Sequence, residues 1–274
     1  MTRNYDDNSG LIYHYTSPAG LLGILETRSI WLSDTQFLND LSEVRYAAEL
    51  VCKQLEDVDQ ELMERIERNY LGDDLNLPLE TFPYVASFCK SDDLLSMWRS
   101  YGADGVSIGF DRACLDRLLS NSGEEWGSLS PEEIGKMRHA HFGIAGQLVD
   151  IEYLDKWTIN DKVVQEIRES DGKLSGFLAG IKNPAFREER EVRIIAFANS
   201  CTTPPQIREN NGRIVPYRPL VFPFEAIRSI TVGPGSLQSS NARAIRRYFE
   251  KQPSSRGEWA HVIVRESSTP YFQL

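Results

Sequence analysis

Four cysteines, Cys52, Cys89, Cys114 and Cys201, are scattered through the 274 residues with no CxxC pair among them. That spacing supplies neither a disulfide framework nor a thiolate zinc site, and leads to the expectation of reduced thiols in a cytoplasmic protein. The opening residues MTRNYDDNSG hold no apolar run of the kind a secretory signal needs. Nowhere does the chain approach the ~18 uninterrupted apolar residues of a membrane span, so a soluble chain without a membrane partner is expected. Positive charge is scarce: 30 Lys and Arg stand against 40 Asp and Glu, a net charge of −10. A phosphate backbone rewards net positive surface, so non-specific binding to nucleic acid is not expected, although a local basic groove is compatible with the count. Neither GxGxxG nor GxxxxGK[ST] occurs, and no internal repeat or low-complexity tract is present. His139 and His141 are not at the i, i+4 spacing of a helical metal pair and have no Cys or Glu beside them in a ligand pattern, so no metal is expected.

What is present suffices for one substantial core: 41% of the residues are hydrophobic. A single domain over residues 1–274, its first ~10 residues flexible, is the expectation. Leu11 to Thr16 reads as a strand, with Ile12, His14 and Thr16 on one face and Leu11, Tyr13 and Tyr15 on the other. Ser17 and Pro18 then cap and open a helix whose apolar face is Leu21, Leu22, Ile24 and Leu25, before a second strand, Ile30 to Ser33. Asn39 or Asp40 caps a further helix with Glu43 in its first turn. A third strand covers Tyr84 to Cys89, a short helix Leu94 to Gly102, and a fourth strand Val106 to Phe110. Trp98, Arg99 and Tyr101 put a planar cation beside aromatic rings, an arrangement that suits a phosphate or nucleobase and equally a neighbouring carboxylate.

Later, Val149 to Tyr153 reads as a strand, Lys162 to Ile181 as helix and Arg208 to Gly212 as a turn. Ile214 to Leu220 reads as an edge segment limited by its prolines, and Ile227 to Val232 as a strand. A helix from Ser239 to Lys251 carries Arg243, Arg246 and Arg247, and Val262 to Val264 closes the chain as a strand. The run Arg187-Glu188-Glu189-Arg190-Glu191-Val192-Arg193 leads into Ile194-Ile195-Ala196-Phe197. As a strand it points Glu191 and Arg193 the same way, either as edge-blocking charges or an ion pair, or as a site.

These blocks together resemble the bacterial DUF2971 family: Tyr13-His14-Tyr15-Thr16-Ser17, Ile30-Trp31-Leu32-Ser33-Asp34, Phe37-Leu38-Asn39-Asp40 with Glu43, Leu94 to Gly102, and Phe186 to Arg193. The resemblance spans roughly residues 11 to 235. It implies an α+β fold with an ADP-ribosyltransferase-like split, two-sheet β core and flanking helices. It also implies NAD as substrate, with no metal, and transfer of ADP-ribose to a protein, a nucleic acid, a small molecule or water, in a toxin, effector or defence component. By position, His14 takes the place of the first-strand ribose ligand, with Thr16 on the same face. Glu191 takes that of the catalytic glutamate, with Glu188 and Glu189 as rivals. Trp31, Trp98 and Tyr101 are candidates for the stacking aromatic, with Tyr15 pointing to the other face of a regular first strand; Arg99 is the candidate for the diphosphate, and Tyr15, Ser33, Asn39 and Arg193 complete the binding set. His14 and Glu191 are expected to line one nucleotide-sized hollow. A non-catalytic nucleotide- or protein-binding module, and a metal-independent nuclease built on His14, Arg99, Glu188 and Arg193, are the alternatives.

Overall fold

The computed structural model describes residues 10–37, 41–55, 58–72, 81–101, 104–120, 144–156, 161–198, 204–210, 212–250 and 261–270. Strand β1 (Leu11–Thr16) ends where Ser17 accepts the Gly20 N–H at 3.1 Å and Pro18 fixes the first turn of α1 (Pro18–Thr27). β2 (Ser29–Asp34) follows, then α2 (Leu41–Leu55) and α3 (Gln60–Ile66), which runs on into a π turn at Glu67–Leu71. After β3 (Tyr84–Cys89) come α4 (Leu95–Tyr101), β4 (Val106–Asp111) and α5 (Arg112–Leu119). β5 (Ala145–Asp150) and the two-residue β6 (Glu152–Tyr153) replace the single strand expected at 149–153, because the chain leaves the large sheet at Ile151.

The segment expected to be one helix from Lys162 to Ile181 is instead α6 (Asp161–Glu169) and α7 (Asp171–Leu178), followed by β7 (Ile181–Lys182). Ser170, in extended conformation, breaks the helix and caps α7 by accepting the Lys173 N–H. The charged run is not strand throughout. Pro184–Glu189 form a 3₁₀ turn capped by Asn183, and Arg190 at φ 45° reverses the chain so that β8 (Glu191–Phe197) starts at Glu191.

β9 (Gln206–Asn210) and β10 (Arg213–Val221) make a hairpin where a turn and an edge segment were expected. β10 pairs with β9 through Arg213–Tyr217 and with β2 through Tyr217–Val221, so Pro216 and Pro219 each have a partner strand on one edge only. A proline is compatible with a strand that is open on one edge, and both ladders run through these positions. β11 (Ile227–Val232), α8 (Gln238–Glu250) and β12 (Ile263–Glu266) complete the described chain.

The fold is mixed α+β with flanking helices, and its large sheet runs β12-β11-β4-β1-β3-β2-β10-β9, with β8 and β5 branching from β3. β3 is the branch point. One of its edges is paired with β8 along the whole strand, Tyr84↔Ala196 to Cys89↔Glu191. The other is shared: β2 takes Tyr84 and Val85, whereas β1 takes only Cys89. β1 and β2 therefore splay apart along one edge of β3, and Ser87 lies in the fork between them. In place of two packed sheets, the described strands form one branched ten-stranded sheet and a separate two-stranded pair.

Directly opposed residues of antiparallel strands share a face. The registers put Ile12, His14, Phe88, Ile108 and Phe110 on one face, where they pack with α1 and α5 in the main core. Tyr13, Tyr15, Ser87, Cys89, Glu191, Arg193, Ser33 and Trp31 lie on the other. A second core, including Val51, Leu55, Ile66, Tyr70, Ile167, Leu174 and Leu178, joins α2, α3, α6 and α7. Each such buried aliphatic side chain contributes about 1.5–3 kcal/mol, so these helices are a rigid wall. No described helix is long and apolar enough to cross a membrane.

Candidate functional site

Ser87 is where the two halves of the expected site meet. Backbone polar groups of Val85, Ser87 and Cys89 point to the forked edge, and among the described residues no strand pairs with Ser87 there. His14 fills that role: its Nδ1 lies 3.0 Å from the Ser87 carbonyl oxygen. A carbonyl only accepts, so Nδ1 carries the proton and, in the neutral ring, Nε2 is left as an acceptor. The ring is held neutral: burial lowers its pKa, the bond to Ser87 opposes this, and the charge of Arg208 lowers it further.

On the opposite face, the Ser87 side chain hydrogen-bonds Glu191. Glu191 belongs to a buried network drawn from three elements: Glu43 on α2, Lys182 on β7, and Glu191 and Arg193 on β8, with Glu189 beside them. Arg193 Nε donates to Glu191 Oε1 at 2.7 Å, its Nη2 reaches Glu43 at 3.1 Å, and its Nη1 donates to the Ala179 carbonyl at 2.9 Å. Lys182 Nζ lies 3.0 Å from Glu43, 2.7 Å from Glu189 and 3.1 Å from Glu191. Burial alone would raise the Glu191 carboxyl; Arg193, Lys182 and the hydrogen bonds outweigh it and hold the group at about 2. Burial would likewise lower the Lys182 ammonium, and Glu191, Glu43 and Glu189 together push it above its usual value. Three carboxylates thus share two cations. Glu191 Oε1 takes Arg193, Oε2 takes Lys182, and Ser87 adds a further donor. The Glu191 amide is fixed as well, donating to the Tyr153 hydroxyl at 2.7 Å.

The other expected residues are spread more widely. Thr16 shares the face of His14, but its hydroxyl lies against Gly20, where an added Cβ would come within 2.1 Å of Oγ1. Tyr15 and Trp98 offer no stacking surface. The Tyr15 hydroxyl donates to the Ser91 carbonyl at 2.9 Å and accepts the Leu94 N–H at 3.0 Å, and its ring meets the fully buried Trp98 edge-on at 4.7 Å. Trp98 Nε1 donates to Asp93 at 2.8 Å. These two rings latch α4 onto β1. Arg99 and Glu188 are exposed. Asn39 and the side chain of Tyr101 lie outside the described residues. Trp31, 40% exposed, stacks on Tyr217 at 4.5 Å, and Ser33 accepts from Arg208 Nη2 at 2.9 Å.

Arg208 escaped the sequence reading, which put it in a turn. On β9 it faces the fork, its guanidinium 5.5 Å from the Trp31 ring centre and close enough to His14 to act on its charge. Only alternation from Gln206 to Asn210 could have marked it as a strand residue.

A cavity of about 710 Å³ lies elsewhere, between β5, β8, α6 and α7, lined by Gly146, Gly176, Phe177, Gly180, Ile195 and Phe197 among others. None of the expected site residues lines it. His14 and Glu191 meet through Ser87 and not across that hollow. Among the described residues no cluster of His, Cys, Asp and Glu is arranged to hold a metal.

Residues 97–194 match DUF2971, a family described as protein of unknown function. The DUF2971 match begins on α4 and ends inside β8, so it takes in Arg99, Glu188, Glu191 and Arg193 and leaves out His14, Trp31 and Arg208. No curated protein matches the sequence. Among solved structures, Thermus sp. 2.9 DarT in complex with ADP-ribosylated ssDNA aligns over 97% of this chain and 98% of its own, at 13% identity and a TM-score of 0.32. That superposition is too loose to carry any residue from one chain to the other.

Proposed function

We propose that the chain binds NAD at the fork between β1 and β2 and breaks its bond to nicotinamide, passing ADP-ribose to an acceptor or to water. The observation that carries this reading is the meeting of His14 and Glu191 on the two sides of Ser87, at the point where the sheet splits. The resemblance of the first-strand and FREEREVR blocks to a branch of the ADP-ribosyltransferases supplies the chemistry. As nicotinamide leaves, positive charge grows on the ribose, and a carboxylate that is already ionised and held by a strand stabilises it without reorganising. Glu191 has that character, with Arg193 and Lys182 positioning it. His14, neutral and with Nε2 as acceptor, suits a ribose hydroxyl. A ribose hydroxyl at Glu191 takes over the acceptor position now held by Ser87 or Lys182. The acceptor class, whether protein, nucleic acid or small molecule, and a role in toxicity or defence within the cytoplasm belong to the same reading.

A second reading has one observation in its favour. The Glu191 carboxylate already meets Arg193, Lys182 and Ser87, which fits a non-catalytic module that keeps the nucleotide site. The nuclease reading is not proposed: Arg193 is buried in its ion pairs while Arg99 and Glu188 are on the surface. Incubation with NAD labelled in nicotinamide separates the two. Release of label supports catalysis, saturable binding without release supports the module, and absence of both refutes the NAD site.

A further inference from the structure

Arg208 is a half-buried cation with no acid paired to it among the described residues. Arg193, buried, is paired with Glu191 and Glu43, and the part-buried Arg65 with Asp171, whereas buried Arg218 donates to the Pro204 carbonyl at 3.2 Å and lies over the Tyr84 ring. Arg208 has one hydrogen bond, from Nη2 to the Ser33 hydroxyl, and its buried Nε has no acceptor. Nη1 has no partner among the described residues. Its other partner is the face of Trp31, its charge also acts on His14, and burial lowers the pKa of the guanidinium itself. An unpaired, partly desolvated cation is costly.

We propose that Arg208 is an anion-binding residue, held by Ser33 and Trp31 so that its free N–H groups take the diphosphate of a nucleotide lying in the fork. The guanidinium is planar and forked, which matches two phosphate oxygens, and its counter-ion arrives with the ligand. The surroundings are built for orientation: β9 is paired to β10, β10 to β2, and Tyr217 braces Trp31 while its own hydroxyl donates to Gln206 at 2.7 Å. This moves the phosphate contact from the exposed Arg99 to a residue of the fork. The nucleotide part of the assignment rests on the NAD reading; the anion site does not.

The test is calorimetric titration of the intact chain with pyrophosphate, ADP-ribose and adenosine, for the wild type, Arg208→Met and Arg208→Lys, with melting curves to verify folding. Loss of the charged hydrogen bonds should weaken pyrophosphate and ADP-ribose by on the order of 10- to 100-fold in Arg208→Met. Lysine should restore part of that, because it keeps the charge and loses the fork, and adenosine should bind all three alike. Equal affinity of wild type and Arg208→Met for ADP-ribose and pyrophosphate overturns the assignment, as does a wild type that binds neither. Wild type that binds pyrophosphate through Arg208, but neither NAD nor ADP-ribose, upholds the anion site and removes the NAD reading. Unaltered NAD affinity and turnover in Arg208→Met does the reverse.

Discussion

Glu191→Gln separates what the buried network does for folding from what it does for chemistry. Read from sequence, the change removes only a charge; in the fold it removes the acid that both cations share. The drop from the ordinary 4.5 to about 2 corresponds to about 3 kcal/mol of stability at ~1.4 kcal/mol per pH unit. The cost is not greater because neither cation is stranded: Lys182 keeps Glu43 and Glu189, and Arg193 keeps Glu43 and the Ala179 carbonyl. The sign follows from the depressed folded value. The contribution is complete above pH 4.5 and is lost as pH falls from there through about 2. Urea unfolding at pH 7, 4.5 and 3 should therefore show Glu191→Gln weaker than wild type by about 3 kcal/mol at pH 7, with the gap narrowing on acidification. A variant as stable as wild type at pH 7, or a gap of constant size at all three pH values, refutes the reasoning. Measured where both proteins are folded, nicotinamide release should fall by about two orders of magnitude if Glu191 is the reacting carboxylate; full turnover would leave it a purely structural acid.

Glu188→Gln, at an exposed position, should change stability by no more than about 0.5 kcal/mol and serves as the control for the charged run. His14 should remain neutral below its ordinary pH 6.5 in an NMR titration, and because its folded value is depressed, stability should decline as pH falls below 6.5, a component missing in His14→Gln. His14→Ala should raise KM for NAD more than it lowers kcat; unchanged affinity would remove its ribose role. Tyr15→Phe deletes one donor and one acceptor that fasten Ser91 and Leu94, and should cost about 1–2 kcal/mol by urea unfolding. Asp93 gathers Trp98, Ser267, the Ser268 amide and Thr269, so Asp93→Ala should expose residues 267–269 to limited proteolysis well before global unfolding.

Much of the first hundred residues was legible because the signals are local. Ser17 and Pro18 start α1 as their chemistry requires, and the alternation of β1 and β8 placed His14 on one face and the Glu191–Arg193 pair on another. The errors occurred where a local signal was outweighed by distant partners. Prolines at 216 and 219 suggest an edge, and each has one partner strand, β9 for Pro216 and β2 for Pro219; what the sequence does not show is that the two halves of β10 join different neighbours. Arg208, followed by Glu209-Asn210-Asn211-Gly212, reads as a turn, and only the partner strand draws residues 206–210 into the sheet. Trp98 and Tyr15 read as ligand contacts in the sequence because an aromatic beside an arginine has the same composition in a core as in a cleft. Burial tells them apart.

By itself the sequence determined composition, face and local capping: an acidic chain, a strand histidine, and a carboxylate and guanidinium committed to one side of a late strand. These follow from periods of 2.0 and 3.6 residues and from turn chemistry, which need no knowledge of the rest of the chain. The tertiary structure alone decided that β1 and β2 diverge along β3, that Ser87 joins His14 to Glu191, and that the acid is shared by Arg193 and Lys182. It also decided that Arg208 stands without a counter-ion among the described residues. Such facts depend on which strands pair and which charges are buried together, and those are set by closing the whole sheet over two cores.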